Sequence, residues 1–217
     1  MSSDPASATR PARGRRTARP SGDDRELAIL ATAERLLEDR PLAEISIDDL
    51  ARGAGISRPT FYFYFRSKEA VLLALLDKVV EEADTAALDQ LDDLTEGAAR
   101  RWRTCLNAFF ETFRAHRAVS LAVAQTRHSN PEVRDLWASV LENWVSRTAE
   151  AIEAERARSA APPGRPARDL AIVLNSMNER VLYSTFAAEG PAVGEADVMD
   201  VLLEVWLTTI YRTTNPD

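Results

Sequence analysis

Cysteine is nearly absent from this chain. Cys105 is the only one, so no intrachain disulfide and no thiolate metal site can form. Histidine is almost as scarce: His116 and His128 stand 12 positions apart, which argues against a histidine metal site or a catalytic dyad. No apolar run approaches the roughly 18 residues that a membrane span needs. The N-terminus lacks the apolar core of a secretory signal. Nucleophile–base pairing, metal-ligand spacing and a phosphate-binding loop are missing too, so neither an enzyme nor a cofactor is expected. What remains is a globular composition, 45% hydrophobic and 28% charged, of a protein expected in the cytoplasm.

The net charge of −7 conceals an asymmetry. Met1 to Lys68 holds 12 Lys/Arg against 10 Asp/Glu, and the remainder 15 against 24. Within the first part, Met1–Gly22 has five arginines and one aspartate, and Leu50–Lys68 has four basic residues and no acid. Two readings follow: one end of the molecule meets a polyanion, or a basic solubilising tail precedes an ordinary domain.

Residues 1–22 are rich in Pro, Ala, Ser, Gly and Arg without apolar periodicity, the signature of a disordered arm. From Asp23, Leu27, Leu30, Ala33, Leu36 and Leu37 fall at helical spacing, and Pro41 lies past the end. Ser46-Ile47-Asp48-Asp49 makes a capped start for a short helix that Gly55 stops. Ser57 is the next N-cap, with Pro59 in the first turn. Two short helices around a glycine turn read as a helix-turn-helix.

The second of these helices carries five aromatic residues in a row, Phe61 to Phe65. Five adjacent rings suit a strand, but no second β-like run exists to pair with one. On a helix Phe61 and Phe65 share a face that fills a small core with Ile56, and Tyr62 and Tyr64 keep their hydroxyls at the rim. Phe63 is either groove wall or core. After the Ser67 cap, helices are expected near Lys68–Leu91, Ala98–Ala115, Ala118–Arg127, Pro131–Arg158, Ala167–Ala188 and Glu195–Arg212. The fold is therefore all-α, with about nine helices. A boundary near residue 66 divides a head (23–66) from a larger domain (67–217).

The run "ISIDDLARGAGISRPTFYFYFRSKEAVL" resembles the N-terminal signature of the TetR family of transcriptional regulators almost position for position. One member of that family is similar over nearly the whole chain, through the arm and again at "MNER" and the final Trp-containing helix. The resemblance implies a cytoplasmic homodimer that binds double-stranded operator DNA and is released by a small, largely apolar effector. It also implies an adjacent flavin monooxygenase gene as the regulated one. In that member a glycine stands at Cys105, a Tyr at Arg147 and a Phe at Tyr183, departures that bear on ligand preference and not on DNA.

The start of the second helix is where such motifs meet base edges, which places Arg58, Pro59 and Thr60 in the major groove. Tyr62, Tyr64 and Lys68 match family positions that hold phosphates, the lesser alternative being that the tyrosines merely cap a small core. Arg15 and Arg16, with the other arm arginines, would add phosphate or minor-groove contacts.

A second constellation lies beyond the head. Trp102, Leu106, Phe109 and Phe113 form one helical stripe, and Trp137, Leu141 and Trp144 another. Such stripes are ordinarily core. Asn175, Asn178 and Glu179 put polar groups on an otherwise apolar helix, where they line a pocket, make structural hydrogen bonds or face water. With the resemblance added, the ligand site also takes in Cys105, Thr148, Tyr183 and Trp206. Apolar residues left over on the last two helices, among them Val198, Val201, Leu202 and Val205, suit a symmetric contact between two subunits.

Overall fold

A computed structural model describes residues 22–92 and 97–216, the side chains of 88–92 excepted. The described residues form nine α-helices and one 3-10 turn, with no strand among them. Helix α1 spans Gly22–Asp39, α2 Ile47–Gly53 and α3 Arg58–Phe61, with the 3-10 turn Leu42–Glu44 between α1 and α2. The long α4 (Lys68–Asp92) leads to α5 (Ala98–Ala115), α6 (Arg117–Thr126) and α7 (Pro131–Ala157). Helices α8 (Ala167–Ala187) and α9 (Val198–Tyr211) complete the chain. None of the described helices is long and apolar enough to cross a membrane.

Local chemistry starts and stops the head helices. Asp23 and Asp24 face the positive end of the α1 dipole. Ser46 and Asp49 form a reciprocal capping box on α2: the Ser46 hydroxyl accepts from Asp49 N, and Asp49 accepts from Ser46 N. Those Ser46 hydrogen bonds hold the Asp49 carboxyl below its usual pKa. Gly55 takes φ +66°, the left-handed conformation that reverses the chain between α2 and α3. Ser57 then caps α3 through Thr60 N, with Pro59 in the first turn.

The aromatic run departs from expectation in one respect. Helix α3 ends at Phe61, and Tyr62–Tyr64 form a turn closed by Phe63 N to Thr60 O (3.2 Å) and Tyr64 N to Phe61 O (2.9 Å). Bulky rings are indifferent helix formers, and the chain must redirect itself before the Ser67 cap, which receives Ala70 N. The side chains still divide as the four-residue step requires, because Phe65 N bonds Phe61 O. Phe61 and Phe65 are buried, while Tyr62 and Phe63 are 48% and 87% exposed. Phe63 is therefore not core.

Helix α9 starts later than expected, at Val198, because residues 195–197 form a turn. Of the surplus apolar residues assigned to a subunit contact, Leu174, Val198, Leu202, Trp206 and Ile210 are buried within the protomer. Val201 and Val205 of that set are exposed, and so are Ile172 and Val173 of α8. The main core runs without a break from Ile29 and Leu30 on α1, through Val71, Leu75 and Val79 on α4, to Val119 and Val123 on α6 and Phe186 on α8. The N-terminal and C-terminal helices thus share one packed interior.

Candidate functional site

Two surfaces of the molecule carry the candidate residues. The first is the tip of the head. Ser57, Arg58 and Pro59 are exposed and Thr60 is half-buried, so the first turn of α3 projects into solvent. Arg58 donates to Asp48 at 2.9 Å, and a hydrogen bond with Tyr62 followed by the Asp48 charge raises its pKa. It stays a cation under all ordinary conditions. The Tyr62 ring stands edge-on to Phe61 with centroids 5.8 Å apart, anchoring the exposed tyrosine on the buried phenylalanine.

Lys68 requires a correction. Its ammonium donates to three backbone carbonyls, Leu42 O (2.7 Å), Ala43 O (3.0 Å) and Ile45 O (3.0 Å). Those three bonds use every proton it has, so it ties the 3-10 turn to the start of α4 and has none left for a phosphate. The arm arginines, Arg15 and Arg16 among them, lie outside the described residues.

The second surface is internal. A cavity of about 570 Å³ lies among α5, α6, α7, α8 and α9. Trp102, Cys105, Phe109 and Phe113 reach it from α5, and Trp137, Trp144 and Thr148 from α7. Asn175, Asn178, Glu179 and Tyr183 on α8 and Trp206 on α9 complete the sequence-derived set, all of it on one wall system. All four tryptophans of the chain face this space. The rings support one another edge to face: Phe109 with Trp144 at 5.1 Å, Trp137 with Trp144 at 5.8 Å, Phe113 with Trp144 at 5.7 Å. Trp102 and Trp206 meet at 5.0 Å.

The polar stripe of α8 divides into distinct roles. Asn175 donates to Ala171 O (2.9 Å) and Thr148 Oγ1 (3.1 Å). A carbonyl can only accept, so the Asn175 amide protons are committed and only its oxygen is open. Asn178 is reversed: its oxygen accepts from the Trp206 indole at 3.0 Å, which leaves the amide nitrogen as a donor beside the cavity. Glu179 accepts from Trp137 Nε1 at 3.2 Å and is ion-paired with Arg127. Both contacts fall on Oε1 and anchor that carboxylate between α6 and α7. Trp102 donates to Tyr211 Oη at 2.9 Å, and burial keeps the Tyr211 phenol well above its normal pKa. Burial likewise pushes the Cys105 thiol up to about 12, with Arg147 opposing it, so Cys105 is an unreactive thiol near neutrality.

The sequence reading missed Arg127, the ion-pair partner that satisfies Glu179. A signal existed: an arginine closing the apolar α6 and a glutamate inside the apolar α8 are each hard to bury alone. It also missed which side chains link the cavity to the head. Among the described side chains of α4, none lines the cavity. The connection passes through Trp144, whose indole donates to Asp84 of α4 at 2.9 Å, and through Val123 of α6, which lines the cavity and packs in the core shared with α1. His116, between α5 and α6, holds Glu34 of α1 on one ring nitrogen and Glu82 of α4 on the other.

Comparison with known proteins assigns a family to both parts of the chain. Residues 29–75 match the family model for bacterial regulatory proteins of the tetR family, and residues 102–212 match the model for the C-terminal domain of the transcriptional regulator EthR. The HTH-type transcriptional regulator EthR of Mycobacterium tuberculosis (strain ATCC 25618 / H37Rv) is 60% identical over 204 residues, covering 92% of this chain and 93% of its own. The regulator of the same name from Mycolicibacterium smegmatis is 50% identical over 208 residues, 96% of each chain. Among solved structures, a transcriptional regulator from Saccharomonospora viridis in complex with choline aligns with TM-score 0.71 at 23% identity. It covers 85% of this chain and 96% of its own, and at that identity it speaks for the fold alone.

Proposed function

This chain belongs to the TetR family of bacterial transcriptional regulators, with an EthR-type C-terminal domain, and from that premise we propose that it is a repressor released from its operator by a small, mostly apolar ligand. The observation that carries the reading is the 570 Å³ aromatic cavity with the uncommitted Asn178 amide at its edge. A ligand with one carbonyl-like acceptor would satisfy that donor while its apolar body excludes water from the rings. Asn175 is not an alternative donor, since its protons are taken.

Arg58, Pro59 and Thr60 would enter the major groove, and Tyr62 and Tyr64 would hold flanking phosphates. One head reads one half-site, so two copies are required. Ile172, Val173, Val201 and Val205 supply an apolar face on α8 and α9 for pairing them. The two heads must then match the roughly 34 Å repeat of the duplex or a multiple of it. A ligand that fits best when Trp144 and α6 shift would favour a spacing the operator does not accept, by as much as its differential affinity allows. The regulated gene implied by similarity is an adjacent flavin monooxygenase.

The test begins by selecting binding sites from random duplexes with the full chain, then screening apolar compounds for release of the selected duplex. Because every tryptophan faces the cavity, intrinsic emission reports its occupancy. Release and emission should change with the same midpoint. Release without any change in tryptophan emission would move the effector site elsewhere.

A further inference from the structure

The cavity wall is apolar but not electrically neutral. Three arginines and two glutamates line it: Arg127, Arg147, Arg180, Glu179 and Glu189. Arg127 is ion-paired with Glu179, and Arg180 is exposed, its guanidinium 5.6 Å from the centre of the Tyr183 ring. Glu189 sits at the exposed rim beside the Tyr183 hydroxyl at 3.4 Å. Arg147 differs from all of these. It is half-buried, and no hydrogen bond or ion pair joins it to any carboxylate among the described residues.

Two observations put its charge on the cavity side. On α7, Arg147 lies one turn beyond Trp144 and beside Thr148, so it extends the Trp137–Leu141–Trp144 stripe that walls the cavity. Across the gap on α5, the buried Cys105 thiol feels that same positive charge. A neutral apolar ligand filling this space would strip water from a guanidinium and offer nothing in return. A carboxylate would replace that water with paired, charge-assisted hydrogen bonds, for which the guanidinium fork is shaped.

We propose that the effector is an amphipathic acid, its carboxylate paired with Arg147 and its hydrocarbon body laid among the tryptophan and phenylalanine rings. This rests on the ligand-release reading above and narrows it to a chemical class. The free Asn178 amide fits the same ligand, since it too seeks an acceptor.

The test titrates the full-length protein with dodecanoate, dodecanamide and dodecylamine, following tryptophan emission, and repeats the series with octanoate and hexadecanoate and their amides. Dodecanoate should bind about tenfold or more tightly than its amide, with the amine weakest. Arg147→Gln should erase the gap between acid and amide. Arg147→Lys, which keeps the charge but not the fork, should retain part of it and guards against a variant that fails to fold. Equal affinity of acid and amide in the wild type, or a gap that survives Arg147→Gln, would overturn the proposal while leaving the cavity as the effector site. Silence of the tryptophans towards every chain length and headgroup would remove the ligand-release reading and this inference together.

Discussion

The head and the cavity-bearing domain are both helical, yet they are held in shape by different means. In the head, neighbours in sequence do the work: a capping box at Ser46, a left-handed glycine at position 55, a cap at Ser57 and an aromatic pair one turn apart. In the larger domain the decisive pairs are distant in sequence. Arg101 meets Glu155, Trp102 meets Tyr211, and Trp206 meets Asn178. A reading surface has to be presented rigidly by few residues. A cavity needs walls from five helices kept apart by specific links, because an unsupported void would collapse.

The sharpest way to break this comparison is to remove one long-range link. Arg101 and Glu155 are both buried, and Arg158 donates to the same carboxylate at 2.7 and 2.8 Å. Glu155→Ala removes the buried carboxylate that pairs with Arg101 and should cost about 3–5 kcal/mol of stability in chemical denaturation. A loss within the range of an ordinary surface substitution would show that the larger domain does not depend on that link.

A smaller effect is expected in the head. A Cβ added at Gly53 would lie 2.2 Å from the methyl carbon of the buried Thr32, so Gly53→Ala must push α2 away from α1. About 1–3 kcal/mol should be lost, and operator affinity should fall with it. Lys68→Ala comes next. The three carbonyl bonds predict a stability loss of about 1–2 kcal/mol with an unchanged salt dependence of DNA binding. A phosphate role would give the reverse: intact stability and a log–log salt slope smaller by about 0.9.

The smallest effect sits where the two regions meet. Burial opposes a charge on His116, but the hydrogen bonds and charges of Glu34 and Glu82 outweigh it and raise the pKa. A raised histidine pKa adds stability in full below the unfolded value of about 6.5, and that increment disappears as pH rises through the folded pKa. The site is partly solvated, so less than about 1 kcal/mol is expected. Denaturation midpoints across this range should fall with rising pH, and His116→Gln should flatten the trend.

How legible each region was in the sequence follows from the same contrast. Caps, the glycine turn and the helical period are local signals: the head's caps and its glycine landed where the structure has them, while the period ran past the end of α3 at Phe61 and before the start of α9 at Val198. Two aromatic stripes and a polar stripe at helical period pointed to eight of the cavity residues, the family resemblance added Cys105, Thr148, Tyr183 and Trp206, and all twelve reach the same space. Their roles were not legible. Asn175 and Asn178 look equivalent in the chain, yet one has spent its protons on Thr148 and Ala171 and the other has kept them. Lys68 resembled a phosphate ligand until the 3-10 turn, which no periodic pattern announces, placed three carbonyls around it.

Periodicity, capping residues and charge distribution were enough to establish an all-helical chain with a helix-turn-helix at one end, because each acts over a turn or two of backbone. Which α8 and α9 side chains enter the protomer core and which face outward depended on helix crossings that no local pattern encodes. Leu174 and Leu202 went in; Val173 and Val205 stayed out. The same holds for the charges at the cavity. Glu179 found Arg127 across 52 positions of chain, whereas packing left Arg147 beside the cavity without an acidic partner among the described residues. Side-chain pairing at that range is settled only when the helices pack.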